Sequence, residues 1–199
     1  MHNLPFNTLN IFGDELKTLE DICNTLQNKF GITTADDFGI DVKKFDCVNC
    51  NANADLNGEI FVNGCYLALM YIANQTYTRY QSYVSGNQLW AFVKLKKDFG
   101  RILIRKETLT EKVIELIHPI EIDFPDDKHF SDKFYVVTND KNKATLAMNW
   151  NFRDALMDMH DDWMVEIVNN HLLVYNNRAM DVDEAVQMVE FAGKIASLR

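Results

Sequence analysis

Two apolar runs, residues 163–168 (WMVEIV) and 171–175 (HLLVY), are separated by nothing but Asn169-Asn170. A two-residue connection can join only antiparallel neighbours, and asparagine tolerates the positive φ that a tight hairpin turn demands. This pair commits the C-terminal third of the chain to antiparallel sheet. Just upstream, residues 134–138 read as a further strand, and Asn139-Asp140 opens a helical stretch. There Ala144, Ala147, Met148, Phe152, Ala155, Leu156 and Met159 supply an apolar face, with a break expected near 149–151. Downstream, Asp181-x-x-Glu184 is a capping box. It precedes Val182, Ala185, Val186, Val189, Ala192 and Ile195, the stripe of a last amphipathic helix. The order of this third is β-α-β-β-α.

The N-terminal part is less regular. Leu16, Leu19, Ile22, Cys23, Leu26 and Phe30 recur at three- and four-residue steps, which predicts a helix over 14–30 with Gly31 at its C-cap. Residues 31–44 read as a connection. Residues 45–51 alternate and 59–62 are β-prone, so both are expected as strands. Residues 66–72 are apolar on both sides, and their flanking Gly64 favours a buried strand over a helix. Residues 89–95 and 101–105 read as a hairpin, with Gly100 supplying a positive φ for a bulged turn. A short helix over 110–117 should stop at Pro119, and 120–124 should be an edge-like strand. Hairpins outnumber crossovers, so the expected class is α+β: a mainly antiparallel sheet with amphipathic helices on one face. The chain reads as a single domain, 1–199, with a possible seam between two subdomains in the acidic loop at 123–132.

The run Lys44-Phe45-Asp46-Cys47, the stretch from Gly58 to Gly64, and the element Phe99-Gly100-Arg101-Ile102-Leu103-Ile104 resemble a group of bacterial proteins of unknown function. In that group a similar Phe/Gly/Ile element closes a β-rich segment. A spaced phenylalanine pair, a valine, an aspartate and a helix follow it. Here the counterparts are Phe130, Phe134, Val136 and Asp140. The resemblance covers residues 44–175 and implies a β-rich segment followed by βαββα, and a bacterial source. It brings no activity or catalytic residue.

Charge and cysteine content narrow the function classes. The 199 residues carry 20 Lys and Arg against 29 Asp and Glu, a net charge of -9, which should repel phosphate backbones and anionic membranes. The acidity is uneven: residues 121–199 hold 15 acids and 8 bases, so -7 of the -9 lies there. Neither a signal peptide nor a bilayer-length apolar run is legible, and four cysteines are sparse for a secreted scaffold. The expected setting is cytoplasmic, with no cofactor, no nucleic acid and no membrane among its partners.

Three groups of residues are candidates for chemistry. Cys47-Val48-Asn49-Cys50 is a C-x-x-C, but zinc needs a second pair of ligands, and an alternating stretch would send Cys47 and Cys50 to opposite faces. Buried structural thiols are the ordinary reading. His160-Asp161-Asp162 could bind a divalent ion or act as acid and base, as in a metal-dependent hydrolase. The ordinary reading is a helix-terminal histidine followed by solvated turn acids. His118, His129 and His171 stand apart, and no Ser-His-Asp spacing, P-loop or dinucleotide glycine pattern occurs. Finally, Tyr77, Tyr80 and Tyr83 interleave with Arg79 in the polar stretch 74–88, which runs on to Trp90. Aromatics on a polar connection offer contact area at low entropic cost, whereas a nucleic-acid surface would need more cations than Arg79. The sequence thus favours a non-catalytic binding or interaction module over an enzyme, its partner a protein or a small ligand.

Overall fold

The computed structural model describes residues 4–9, 11–34, 39–49, 54–72, 86–106 and 120–198. In chain order the elements are α1 (Gly13–Phe30), β1 (Ile32–Thr34), α2 (Asp46–Asn49), β2 (Ala54–Val62), β3 (Cys65–Ile72), β4 (Gly86–Lys94), β5 (Arg101–Lys106) and β6 (Ile120–Glu121). Then follow α3 (Lys128–Ser131), β7 (Phe134–Thr138), α4 (Lys141–Ala147), α5 (Trp150–Leu156), β8 (Met164–Val168), β9 (His171–Tyr175) and α6 (Val182–Ser197). The nine strands form one sheet in the order β1-β2-β3-β4-β9-β8-β5-β7-β6. Every pairing in it is antiparallel. The class is α+β. Strands from both sides of the 123–132 loop share the sheet, since β5 pairs with β7 and β8.

The C-terminal third follows the sequence pattern closely. β8 and β9 meet through Asn169-Asn170, with Val168 opposite His171 and Asn169 at φ 57. The helical stretch breaks at Asn149, whose side chain accepts the Phe152 N–H at 3.0 Å and so starts α5 as a new helix. Asp181 accepts the Glu184 N–H at 3.0 Å and caps α6. Only half of the expected capping box forms. The Glu184 carboxylate turns away to accept from Trp163 Nε1 at 3.1 Å and from Asn176 Nδ2.

The expected hairpin of residues 89–95 with 101–105 does not exist. Both segments are strands, but β4 pairs with β3 and β9, and β5 pairs with β7 and β8. The β8–β9 hairpin is nested between them. The connection 95–100 wraps its turn: Leu95 N–H donates to Asn170 O at 2.7 Å, Phe99 N–H to Asn169 O at 2.8 Å, and Asn169 N–H to Gly100 O at 2.6 Å. Crossing two interposed strands means spanning three strand spacings, about 14 Å. Six residues extended reach about 20 Å, so the loop that could close a hairpin can equally bridge it. Gly100 does take a positive φ, 74°, but in this wrap rather than in a bulged turn.

Each face of the central strands has its own core. Leu67, Leu69, Ala91, Val93, Ile102, Ile104, Val165, Ile167, Leu172 and Val174 point to the side covered by α1, α4, α5 and α6. The alternate residues Ala68, Met70, Trp90, Phe92, Leu173 and Tyr175 meet Ile40, Phe45, Cys47 and Val48 on the other. Burial on both sides is why residues 66–72 show no alternation. The long amphipathic helices thus share one face, and residues 40–48 cover part of the other.

Two N-terminal expectations are corrected. Residues 32–34 are not simple connection but an edge strand paired with β2. Of the strand expected over 45–51, the described residues 45–49 hold instead a helical turn, Asp46–Asn49, because a carboxylate from β8 collects its first N–H groups, as described below. The expected helix at 110–117 lies outside the described residues. Of the expected strand at 120–124, Ile120–Glu121 is in register with β7 and Ile122 N–H still donates to Val136 O at 2.9 Å, while the side chains of Ile122 and Phe124 enter the core.

Candidate functional site

β4 is buried on both faces up to Val93, and exposure begins at Lys94 and runs into the wrap that follows it. Leu95 and Phe99 turn inward, while Lys94, Lys96 and Lys97 stay exposed. Facing them is the corner where α4 gives way to α5, and closing the third side is the last turn of α6. Together Lys94, Leu95, Lys96, Phe99, Phe152 and Leu198 frame a groove, with Ala147, Asn149, Ile195 and Ala196 behind them, enclosing about 40 Å³. Its floor is set by packing, with the Phe99 and Phe152 rings 4.7 Å apart. Lys96 Nζ donates to Leu198 O at 2.8 Å and ties the strand side to the helix side.

Two properties mark this groove. Among the described residues its lining holds three lysines and no carboxylate, on a chain where acids outnumber bases 29 to 20. Among the described residues, Lys94 and Lys97 have no ion-pair partner; Asp98 is taken by Lys143 at 2.7 Å. The second property is exposed apolar surface beside the groove. The break between α4 and α5 leaves Leu146 and Trp150 outside the core, 79% and 63% exposed, on either side of the lining residues Ala147 and Asn149. An exposed tryptophan next to an apolar depression is the composition of an interface anchor.

A larger cleft, about 370 Å³, lies between Asp158, His160, Trp163, Gln187, Glu190, Phe191 and Lys194. Its charges are already matched. Lys194 pairs with Asp158 at 2.7 Å, and Glu190 with Lys29 at 2.7 Å. Its aromatic floor is sealed, with Trp163 and Phe191 at 1% and 4% exposure.

The histidine-aspartate cluster of the sequence does not converge. Asp161 pairs with the buried Lys106 at 2.9 Å, and that hydrogen bond holds its carboxyl below the usual range, the wrong direction for a base at neutral pH. Asp162 pairs with Arg178 and gives its N–H to His160 Nδ1 at 3.4 Å. Among the described residues, no three His, Cys, Asp or Glu side chains are placed to share a metal ion. Cys47 is buried, and burial followed by the Glu166 charge pushes its thiol well above the usual range, away from the thiolate that ligation requires. Cys50 lies outside the described residues.

Trp90 is not on a surface. It is 1% exposed in the smaller core, 5.3 Å from the Tyr175 ring, and its Nε1 donates to Gln88 Oε1 at 3.1 Å. The strand period explains the correction: residue 90 shares a face with Phe92 and with the buried Gln88, beneath Phe45. Tyr77, Arg79, Tyr80 and Tyr83 lie outside the described residues. The ends of their segment are placed, since Ile72 and Gly86 are register partners. Gly86 begins β4 and Lys94 ends it, so Ile72 and Gly86 lie at the opposite end of the strand from the lysines.

Sequence reasoning passed over Glu166, in the middle of the apolar run 163–168. It is 2% exposed and accepts the Asp46 N–H at 2.7 Å and the Cys47 N–H at 3.1 Å. Arg101 reaches Asp46 Oδ1 at 2.6 Å, Glu166 Oε1 at 3.5 Å and the Lys44 carbonyl at 2.9 Å. Burial pushes the Glu166 carboxyl up to about 7 in spite of the two N–H donors. This cluster pins residues 42–49 onto the sheet. A lone acid at an inward position of a strand was its only signal in the sequence.

Among the described residues no helix is long and apolar enough to cross a membrane. No family model matches the sequence, and no curated protein matches it. Among solved structures, the crystal structure of the mycobacterial trehalose monomycolate transport factor A, TtfA, is similar. The two share 10% sequence identity at a TM-score of 0.58, over 92% of each chain. At that identity, the similarity is one of fold.

Proposed function

We propose that this chain is a non-catalytic binding module whose contact surface is the lysine-rimmed groove with the adjoining Leu146 and Trp150. The observation that carries the reading is the pairing of a 63%-exposed tryptophan with an apolar depression whose charged lining residues, among those described, are all lysines. The carboxylates that an enzymatic reading would use support it from the other side: Asp161 and Asp162 are each held by a separate cation. A fold like that of a protein described as a transport factor fits binding better than turnover. The tyrosines Tyr77, Tyr80 and Tyr83 are a second contribution we assign to contact, on their composition alone.

Affinity capture tests this with three baits: the native chain, L146S/W150S, and a variant with all three tyrosines changed to serine. Native bait should retain partners that L146S/W150S loses. Identical retention by all three baits would overturn the reading. So would a divalent-ion-dependent hydrolysis that disappears in D161N/D162N.

A further inference from the structure

We infer that the partner seated in this groove is an acidic polypeptide segment that inserts one apolar side chain. The inference rests on the binding reading above and adds the chemistry of the occupant. Size comes first. Pockets that bury a small-molecule cofactor run to about 300 Å³ and more, whereas this depression encloses about 40 Å³. That is room for the tip of an inserted side chain, with the surrounding contact made on the flat shoulders where Leu146 and Trp150 lie exposed. Such a division, one anchor in a depression and a wider flat contact around it, is the anatomy of a protein interface.

Charge then selects the partner's sign. Lys94, Lys96 and Lys97 all line the depression and are all exposed. Lys96 has a backbone carbonyl as acceptor, and Lys94 and Lys97 have no carboxylate partner among the described residues. The nearest acid in sequence, Asp98, is consumed by Lys143. Other lysines of the chain are paired, Lys29 with Glu190, Lys106 with Asp161 and Lys194 with Asp158, while Lys43, Lys44 and Lys128, like the rim lysines, are in no ion pair among the described residues. Three lysines left uncompensated around an apolar depression supply what an Asp- or Glu-rich segment lacks. The chain as a whole, at -9, repels an acidic segment, so attraction to these three neighbouring lysines orients it toward the apolar depression they surround.

The experiment uses the full chain and three fluorescein-labelled 12-residue peptides. One carries a central Leu-Phe pair flanked by glutamates, one replaces the glutamates by lysines, and one keeps the glutamates but replaces Leu-Phe by Ser-Ser. Fluorescence anisotropy should show the first binding at least tenfold more tightly than either other. Its affinity should fall at least tenfold in K94E/K97E, which should in turn gain affinity for the lysine peptide. Raising salt from 50 to 300 mM should weaken the first peptide several-fold. Equal binding of the acidic and basic peptides, or a K94E/K97E variant without effect, overturns the inference. If the capture experiment still separates native from L146S/W150S bait, the binding reading survives that failure. Two further outcomes also overturn it. One is a self-association lost in L146S/W150S, which would make a second copy the occupant. The other is binding to vesicles containing anionic lipid that outcompetes the acidic peptide.

Discussion

The buried carboxylate of Glu166 on β8 holds the backbone N–H groups of Asp46 and Cys47, 120 and 119 residues away in sequence. Burial keeps this carboxyl protonated at pH values where the unfolded chain has already lost the proton. Between the ordinary value of 4.5 and about 7, the folded state therefore forfeits stability as pH rises, and above that the loss is complete. Its ceiling is about 3 kcal/mol. In urea unfolding at pH 5 and pH 8, the native chain should lose about 1–2 kcal/mol more than E166Q does. The same pH response in both proteins would show that Glu166 does not titrate in this range.

What could be read in advance follows from the range of the interactions. The β8–β9 turn, the Asn149 break and the Asp181 cap are settled by residues within four positions of each other, and all three were legible. The partners of β4 were not. A six-residue loop suits either a hairpin or a wrap, and what decides is the β8–β9 unit some seventy residues later. The helical turn at 46–49 is likewise imposed from β8, so local alternation pointed to the wrong conformation for those four residues. The groove escaped for the same reason. Its lysines, its aromatic floor and its helix end come from three distant segments, and only the fold makes them neighbours.

Gly193 lies in α6 directly over Asn63, the positive-φ residue of the β2–β3 turn. A Cβ there would stand 2.7 Å from Asn63 O and about as close, 2.8 Å, to its Cγ, and the backbone oxygen cannot swing aside. Alanine would normally favour a helix by about 1 kcal/mol. Here overpacking wins: G193A should be destabilised by about 1–3 kcal/mol, with a clear fall in Tm. A variant as stable as the native chain would mean that the turn yields easily.

Arg153 is buried at 4% exposure, stacked 4.6 Å from the Phe124 ring. Its guanidinium donates to Asp127 Oδ2 at 3.0 Å, Asp126 Oδ2 at 2.6 Å and the Met148 carbonyl at 3.0 Å. It ties α5 to the acidic loop before α3, the place where the sequence suggested a seam. R153A removes packing and leaves the Met148 carbonyl unpaired, and should cost about 2–4 kcal/mol in denaturant unfolding. D126N removes only a partner that is 69% exposed and should cost less than about 1 kcal/mol. Equal losses in the two variants would place the energy in the exposed ion pair instead.

The thiols offer a check on the two cores at once. Cys65 is buried on the large-core side, where burial pushes it up to about 12. Cys23 belongs to the same core, and burial, then the Glu20 charge, takes it to about 11. Cys47 belongs to the smaller core, raised by burial and by Glu166. The thiolate is the reactive form, so at pH 8 about one Cys23 in a thousand is competent even before access is counted. In a C50S background, a disulfide reagent should therefore react with these three at least a hundredfold more slowly in the folded chain than in denaturant. Pairing C50S with E166Q separates the cores: replacing the carboxylate that fastens residues 42–49 should speed Cys47 while leaving Cys23 and Cys65 slow. Acceleration of all three together would mean that the two cores open as one unit, and acceleration of none would mean that the smaller core holds without its carboxylate.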